Sequence, residues 1–290
     1  MSQSISPTAL APKTAPAPEL GALAEFTQET LALTQRLFIQ LQRRPSTLVA
    51  GVIQPMMWLI LFGALFTNAP QSLFGPDVHY GQFLAPGVIV FTAFSGALNA
   101  GLPVMFDREF GFLNRLLVAP LASRYSIVAA STIYIISLAF IQTVVIIGAS
   151  AALGAGLPSL IGLGAIALIV LLIVLGVTAL SLGLAFALPG HIELIAVIFV
   201  TNLPLLFAST ALAPLSFMAP WLQWLAALNP LTYAIEPIRY IYFNAQWSLT
   251  SPVMAAPWGD LNFGVMLAVL LAFDGVALLL IQPLLRRRFG

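Results

Sequence analysis

Residues 158–188, PSLIGLGAIALIVLLIVLGVTALSLGLAFAL, contain no Asp, Glu, Lys or Arg. A helix needs about 20 apolar residues to cross the roughly 30 Å hydrocarbon core of a bilayer. This run exceeds that length, with room for a tilted helix and an interfacial turn, and it assigns the chain to the membrane. Pro189-Gly190 then ends it, because proline lacks an amide donor and glycine relaxes the backbone. The rest of the chain agrees: of 290 residues, 60% are hydrophobic and 7% charged, against about 25% charged in a soluble domain. A water-soluble fold could not cover its surface with so few charges. The net charge of +1 gives no case for a nucleic-acid partner. With no Cys, disulfides and thiolate metal sites are excluded, and the compartment stays open.

Outward from this run, five further apolar stretches give six predicted spans, at about 48–66, 84–104, 126–149, 158–188, 192–213 and 261–283. Pro204 inside the fifth predicts a kink or break. Residues 1–20, rich in Pro, Ala, Ser and Thr, read as a disordered tail. They lack the basic start and apolar run of a signal peptide. Residues 21–47 read as an amphipathic interfacial helix, with Leu23, Phe26, Leu31, Leu33, Leu37, Phe38 and Leu41 at three- and four-residue spacings. Direct lipid contact and packing on the rest of the protein both fit that pattern. Residues 48–290 form the transmembrane domain.

Basic residues set the topology. Of 11 Lys and Arg, all but Arg239 fall on one side of a six-span arrangement, which places both termini in the cytoplasm. On the far side, 67–83 is a short Gly- and Pro-containing loop, and 214–260 is rich in Trp and Tyr, which favour the headgroup region. Pro220, Pro230, Pro237, Glu236 and Arg239 argue against a seventh simple crossing. This segment is read as short helices in or dipping into the outer leaflet, with a buried re-entrant hairpin as the alternative. The predicted fold is therefore an all-α integral membrane protein. It has six transmembrane helices, an amino-terminal amphipathic helix, a short helix between spans two and three, and a re-entrant or interfacial segment before the last span.

Residues 106–124, FDREFGFLNRLLVAPLASR, interrupt the greasy sequence with charge. Phe106, Phe110, Leu113 and Leu117 predict an apolar stripe on a helix over about 106–119, and Pro120 ends it. The basic residues either hold a loop at the membrane surface or, with Glu109 and Arg115, offer ion pairs to a partner. Here the segment REFGFLNRLLVAPLASR (108–124) resembles the loop of type-2 ABC transporter permeases, especially the daunorubicin-resistance and nodulation-export type. So do QPMMWLILFG (54–63), YGQFLAPGVIV (80–90) and LPLLFASTALAPLSFMAPWLQWLAALNPLTYAIEPIR (203–239). The resemblance covers nearly the whole chain in order.

That resemblance implies the permease subunit of an ATP-driven exporter, paired with two cytosolic ABC ATPase subunits and a second permease protomer, most simply as a homodimer. With no targeting signal read at the amino terminus, a bacterial plasma membrane is the expected location, and an organellar membrane of similar ancestry is the alternative. The amphipathic helix and a coupling helix at 106–119 would meet the ATPase, with Arg108, Glu109, Arg115, Leu116, Leu117 and Pro120 as coupling residues. Asn229, Pro230, Tyr233, Glu236 and Arg239 would form an outer gate or an interfacial cluster. The chain has no GxxxxGK[ST] phosphate loop. No cofactor is expected on it, and ATP and Mg²⁺ belong to the partner. An amphipathic drug or natural product is the leading cargo, with a lipid-linked saccharide or other lipid as the alternative.

Polar residues within spans are functional suspects because they are costly there. Asp274 fits helix pairing, an aqueous substrate path or a proton relay. The last role belongs to a rival class, the ion-driven secondary transporter, which needs repeats or paired broken helices not visible here. Gln142 and Asn202 fit ligand binding or helix packing, and helix packing is the favoured reading. His191 and Glu193 follow Pro189-Gly190, but the only other histidine, His79, is assigned to the opposite side, so no metal site follows. No GxSxG occurs and no hydrolase triad is supported.

Overall fold

The computed structural model describes residues 21–66, 80–112, 123 and 125–289. The helices are α1 (Ala22–Arg43), α2 (Pro45–Leu65), α3 (Tyr80–Leu98), α4 (Gly101–Glu109), α5 (Tyr125–Ser150), α6 (Leu160–Ala187), α7 (His191–Phe207), α8 (Pro220–Leu228), α9 (Pro230–Phe243) and α10 (Phe263–Phe289). Strands β1 (Pro252–Ala256) and β2 (Gly259–Asn262) pair antiparallel. Among the described residues, five segments are long and apolar enough to cross a membrane: Leu48–Leu65, Tyr80–Glu109, Tyr125–Ala155, Leu160–Ala187 and Phe263–Leu284. The chain is a largely α-helical, multi-spanning membrane protein. The tail 1–20, most of the 67–83 loop with His79, and Arg115, Leu116, Leu117 and Pro120 lie outside the described residues.

α3 is the central helix, with most of its side chains buried against α2, α5, α6 and α9. Close approach explains its glycine: a Cβ on Gly87 would lie 2.6 Å from the Ala211 carbonyl oxygen and 2.8 Å from the Ala211 Cα. The turn that follows α7 thus rests on the α3 backbone. α10 packs along α6, where a Cβ on Gly176 would lie 2.4 Å from Asp274 Oδ1. Small residues let membrane helices approach in this way. α6 is one helix from Leu160, with Ser159 as its N-cap accepting from the Gly162 amide at 3.1 Å, so the interfacial turn allowed by the sequence falls before the helix.

α1 packs on α5 rather than standing apart, with Phe38 edge-on to Tyr134 at 5.4 Å. Leu23 and Leu31 on its outer face remain exposed. α1 ends at Arg43, and Pro45 opens α2 at its first turn, where a missing amide costs nothing.

The second predicted span, 84–104, is two helices. Asn99 and Ala100 separate α3 from α4, and Ser181 of α6 bridges the break. Its hydroxyl donates to the Leu98 carbonyl at 2.6 Å and accepts from the Gly101 amide at 2.9 Å. A Cβ on Gly101 would lie 2.4 Å from the Ser181 carbonyl oxygen, which backbone cannot readily vacate. Gly101→Ala is therefore expected to destabilise the protein by about 1–3 kcal/mol through overpacking, read as a lower thermal midpoint in detergent. An unchanged midpoint would show that the two helices do not meet here.

Three sequence expectations need correction. The fifth span, placed at 192–213, is the 17-residue α7. At about 1.5 Å per residue the helix alone reaches roughly 26 Å, so crossing the roughly 30 Å hydrocarbon core would need the residues that follow it. It stops because Asn229 Nδ2 donates to the Leu205 carbonyl at 2.7 Å and also to that of Ala208, giving the helix end acceptable partners. Second, the helix placed at 106–119 does not run through: α4 ends at Glu109, and Gly111 has φ 76, a left-handed geometry that ends helices. Third, the fold is not wholly α, since 252–262 forms a hairpin whose turn uses Gly259 at φ 137. The hairpin leads directly into α10, where Trp247 stacks on Phe263 with centroids 4.8 Å apart.

Candidate functional site

α4 ends in three consecutive charges, Asp107, Arg108 and Glu109. Successive helical residues are turned by about 100°, since a turn holds 3.6 residues, so three in a row fan out toward different neighbours. Asp107 accepts from both terminal nitrogens of Arg36 on α1, each at 3.1 Å. This bidentate pairing fixes orientation as well as distance. The Arg36 guanidinium also lies 4.0 Å from the centroid of the Phe112 ring.

Arg108 turns to the end of α6 and donates to the carbonyls of Ala185 at 2.8 Å, Leu188 at 2.6 Å and Pro189 at 2.7 Å. The residue that would continue the helix and bond the Ala185 carbonyl is Pro189, which has no N–H. A cation at a helix carboxyl end also opposes the helix dipole. Glu109 turns to the start of α7, accepting from the His191 amide at 2.6 Å and pairing with His191 Nδ1. A carboxylate at a helix amino end is the complementary arrangement. Phe106 packs against the His191 ring with centroids 5.2 Å apart. Three elements are thus held from one short helix.

The sequence pointed to Arg108 and Glu109 as groups facing a partner; in the structure both bond residues of this chain, Arg108 half-buried and Glu109 exposed. Arg36, Asp107 and His191 were not assigned roles from the sequence. Arg36 and Asp107 are 71 positions apart, and no local spacing pairs them. His191 was weighed only as a metal ligand. Among the described residues, no group of three or more His, Cys, Asp or Glu could hold a metal ion.

The second predicted cluster does come together, at the other end of α3. Arg239 is 5% exposed. It donates from Nε to the Phe83 carbonyl at 3.3 Å, from one terminal nitrogen to the Thr210 carbonyl at 2.6 Å, and from the other to Glu236. Its guanidinium sits 3.7 Å from the centroid of the Phe83 ring. Asn229 caps α9 by accepting from the Leu231 amide at 2.9 Å, and Pro230 occupies the first turn. Tyr233 is buried in the same helix. Thr232 Oγ1 accepts from the Thr210 amide at 3.3 Å, and the Tyr80 hydroxyl donates to the Leu212 carbonyl at 3.1 Å. The whole ties α9 and the 208–212 turn to α3.

The three in-span polar residues do not converge. Gln142 of α5 lies between Gly51 of α2 and Gly96 of α3, whose Cβ atoms would fall 2.5 Å and 3.5 Å from its amide. Asn202 of α7 accepts from Ser95 of α3 at 3.1 Å. Asp274 lies in the α6–α10 contact against Gly176, and its Oδ1 is buried without a hydrogen-bond partner. Its place is a helix contact. Asp274→Asn keeps the size and shape of the side chain in that contact, so it is expected to change stability by about 1 kcal/mol or less, measured by thermal unfolding in detergent. A large loss would require a charge-dependent role.

Apolar spans long enough to cross a bilayer, three of whose neighbouring elements are bonded to the α4 terminus, make this a multi-spanning membrane protein. The chain belongs to the ABC-2 type transporter family, which matches residues 28–243. It is 55% identical over 266 residues to a putative transport permease, ycf38, of Porphyra purpurea, covering 92% of this chain and 91% of that one. It is 52% identical over 264 residues to the ycf38 permease of Cyanophora paradoxa, covering 91% of each. A probable doxorubicin resistance ABC transporter permease, DrrC, of Mycobacterium tuberculosis is 26% identical over 220 residues, covering 74% of this chain and 76% of that one.

Members of this family lack an ATPase domain of their own, and membership implies a cognate ABC ATPase and a lipid environment. The daunorubicin-resistance subtype is not shown, because the relatives above half identity are ycf38 permeases. The expectation of a bacterial plasma membrane is overturned by the same finding: the relatives that span nearly the whole chain are algal and point to a plastid envelope.

Proposed function

We propose that the protein is the transmembrane subunit of an ATP-driven exporter of an amphipathic drug or natural product, acting with two ATPase subunits and a second copy of itself. The observation that carries this reading is the α4 terminus. There, the segment that leads toward 110–124 is bonded to α1, α6 and α7 at once. A push delivered to that segment by an ATPase would reach three helices without passing through flexible loop. Binding free energy at one site biases a two-state assembly only if such a joint exists.

In this reading Arg115, Leu116, Leu117 and Pro120 complete the surface that meets the ATPase, with α1 beside it. α7, extended by the residues after it, makes a sixth crossing. The Arg239 cluster is the fixed closure at the far end, and α9 is a re-entrant element buried among α3, α6 and α10. The resemblance to a permease named for doxorubicin resistance supports the cargo class. The placement of Asp274 within a helix contact supports ATP over an ion gradient as the energy source.

The cargo is tested in proteoliposomes holding the permease and its ATPase, offered a fluorescent amphipathic drug or a lipid-linked sugar. ATP-dependent movement of the drug is the expected result. Movement of the lipid-linked sugar alone would overturn the cargo assignment.

A further inference from the structure

α8 turns outward a face that no described residue covers. Trp221, Trp224, Leu225 and Leu228 fall at i, i+3, i+4 and i+7, one side of a helix, and each is more than half exposed. Ala226 and Ala227, on the other side, are buried. α8 carries no charge, and its Gln223 folds back to donate to the Met218 carbonyl at 2.9 Å. The outward face therefore offers apolar surface and indole N–H groups alone.

The patch is assembled from two distant parts of the chain. Trp258, in the turn of the β1–β2 hairpin, meets Trp224 with ring centroids 5.5 Å apart and is itself 43% exposed. Two positions further on, Asp260 is exposed, so the hairpin passes from an apolar ring to a carboxylate within one turn.

Its depth follows from Asn229, which ends α8, opens α9 and donates to the Leu205 and Ala208 carbonyls at the end of α7. α7 starts at His191, beside the α4 charges. From there it rises roughly 26 Å, against a hydrocarbon core of about 30 Å. With the charges at the near boundary, Asn229 and α8 fall close to the opposite one. At nine residues, about 14 Å, α8 is too short to cross.

Lipid fits this face better than water or a second copy. Trp gathers where one side of its ring is apolar and its N–H is wet. A protein interface carries about one hydrogen bond per 100–200 Å², and α8 directs outward no polar group besides indole N–H.

We propose that α8 and the hairpin tip form one lipid-facing ledge in the headgroup–acyl boundary of the far leaflet. Through Asn229 the ledge holds α9 and the Arg239 cluster at that depth. Of the two positions the sequence leaves open for 214–260, α8 and the hairpin tip take the interfacial one. The ledge is independent of what energises transport.

The test uses the fluorescence of the full permease in phosphatidylcholine vesicles. The chain has five Trp, and Trp58→Phe with Trp247→Phe leaves Trp221, Trp224 and Trp258, all on the ledge. Vesicles carry acyl chains brominated either near the headgroup or near the chain end, and iodide serves as the aqueous quencher. The greatest loss of fluorescence is expected with bromine near the headgroup. Greatest loss with bromine near the chain end would make α8 a deeply re-entrant helix and overturn the ledge. Loss with iodide but with neither brominated lipid would place the face in water, and no loss with any quencher would place it against protein; either result overturns the proposal. A comparison of the wild-type protein with Trp221→Phe gives the answer without the double background. The substitution should reduce the amplitude that bromine near the headgroup removes, and an unchanged amplitude would contradict the ledge.

Discussion

Arg239→Leu is expected to destabilise the protein by about 3–5 kcal/mol, the range for removing one member of a buried ion pair. The cause is what the substitution leaves behind. Glu236 is left in a largely buried site without its partner, and the carbonyls of Phe83 and Thr210 each lose a donor. The Phe83 ring also loses the cation that covers it. Thermal unfolding in detergent should show a large drop, together with a lower yield of folded protein. Leucine at both 236 and 239 should recover part of the loss, because the stranded carboxylate is then gone. A single substitution that unfolds at the wild-type temperature would mean that the guanidinium is not an organising group of the far end.

The second large effect belongs to Arg108. Its three carbonyl acceptors cap the end of α6, and bonds to a charged donor contribute about 1.5–3 kcal/mol each at most when buried. Because Arg108 is only partly buried, Arg108→Ala is expected to cost about 3 kcal/mol in all. Arg108→Lys should recover little, since one ammonium cannot reproduce the planar fork that reaches separate carbonyls. The measurement is again thermal unfolding, with hydrogen exchange at 185–193 reporting whether the α6–α7 turn loosens first. Equal stability of the lysine variant and the wild type would show that charge alone, without the fork, holds the turn.

The apolar helices were legible because they are written in consecutive residues. The run at 158–188 gives α6 almost to its ends, and its cap, Ser159, is adjacent in sequence. What stayed hidden depends on residues far apart. Asn99, Gly101 and Pro103 weaken the helix at Asn99-Ala100, but the hydroxyl that stabilises the break comes from distant Ser181. α7 looked long enough to span because its sequence stays apolar past Phe207, while the side chain that ends it is Asn229. The hairpin at 252–262 falls where the sequence reads as short interfacial helices: Pro252, Pro257 and Gly259 bracket two strands of only five and four residues, too short for an alternating pattern to show.

The candidate site shows the same division. The charges of 107–109 were conspicuous against the surrounding sequence, so Arg108 and Glu109 could be chosen. Their direction could not be read, because Arg36, Ala185 and His191 enter from three other elements. Glu236 and Arg239, by contrast, are three apart on one helix and pair as that spacing allows. The acceptors beyond them, at Phe83 and Thr210, again come from distant chain.

In the proposed function, ATP drives this permease through a separate subunit. This dependence is tested most directly by drug flux in sealed proteoliposomes without an ion gradient, with and without the ATPase and with ATP or a non-hydrolysable analogue. Flux that requires both the ATPase and hydrolysable ATP is the predicted result. Flux from the permease alone, driven by an imposed proton or sodium gradient, would contradict it.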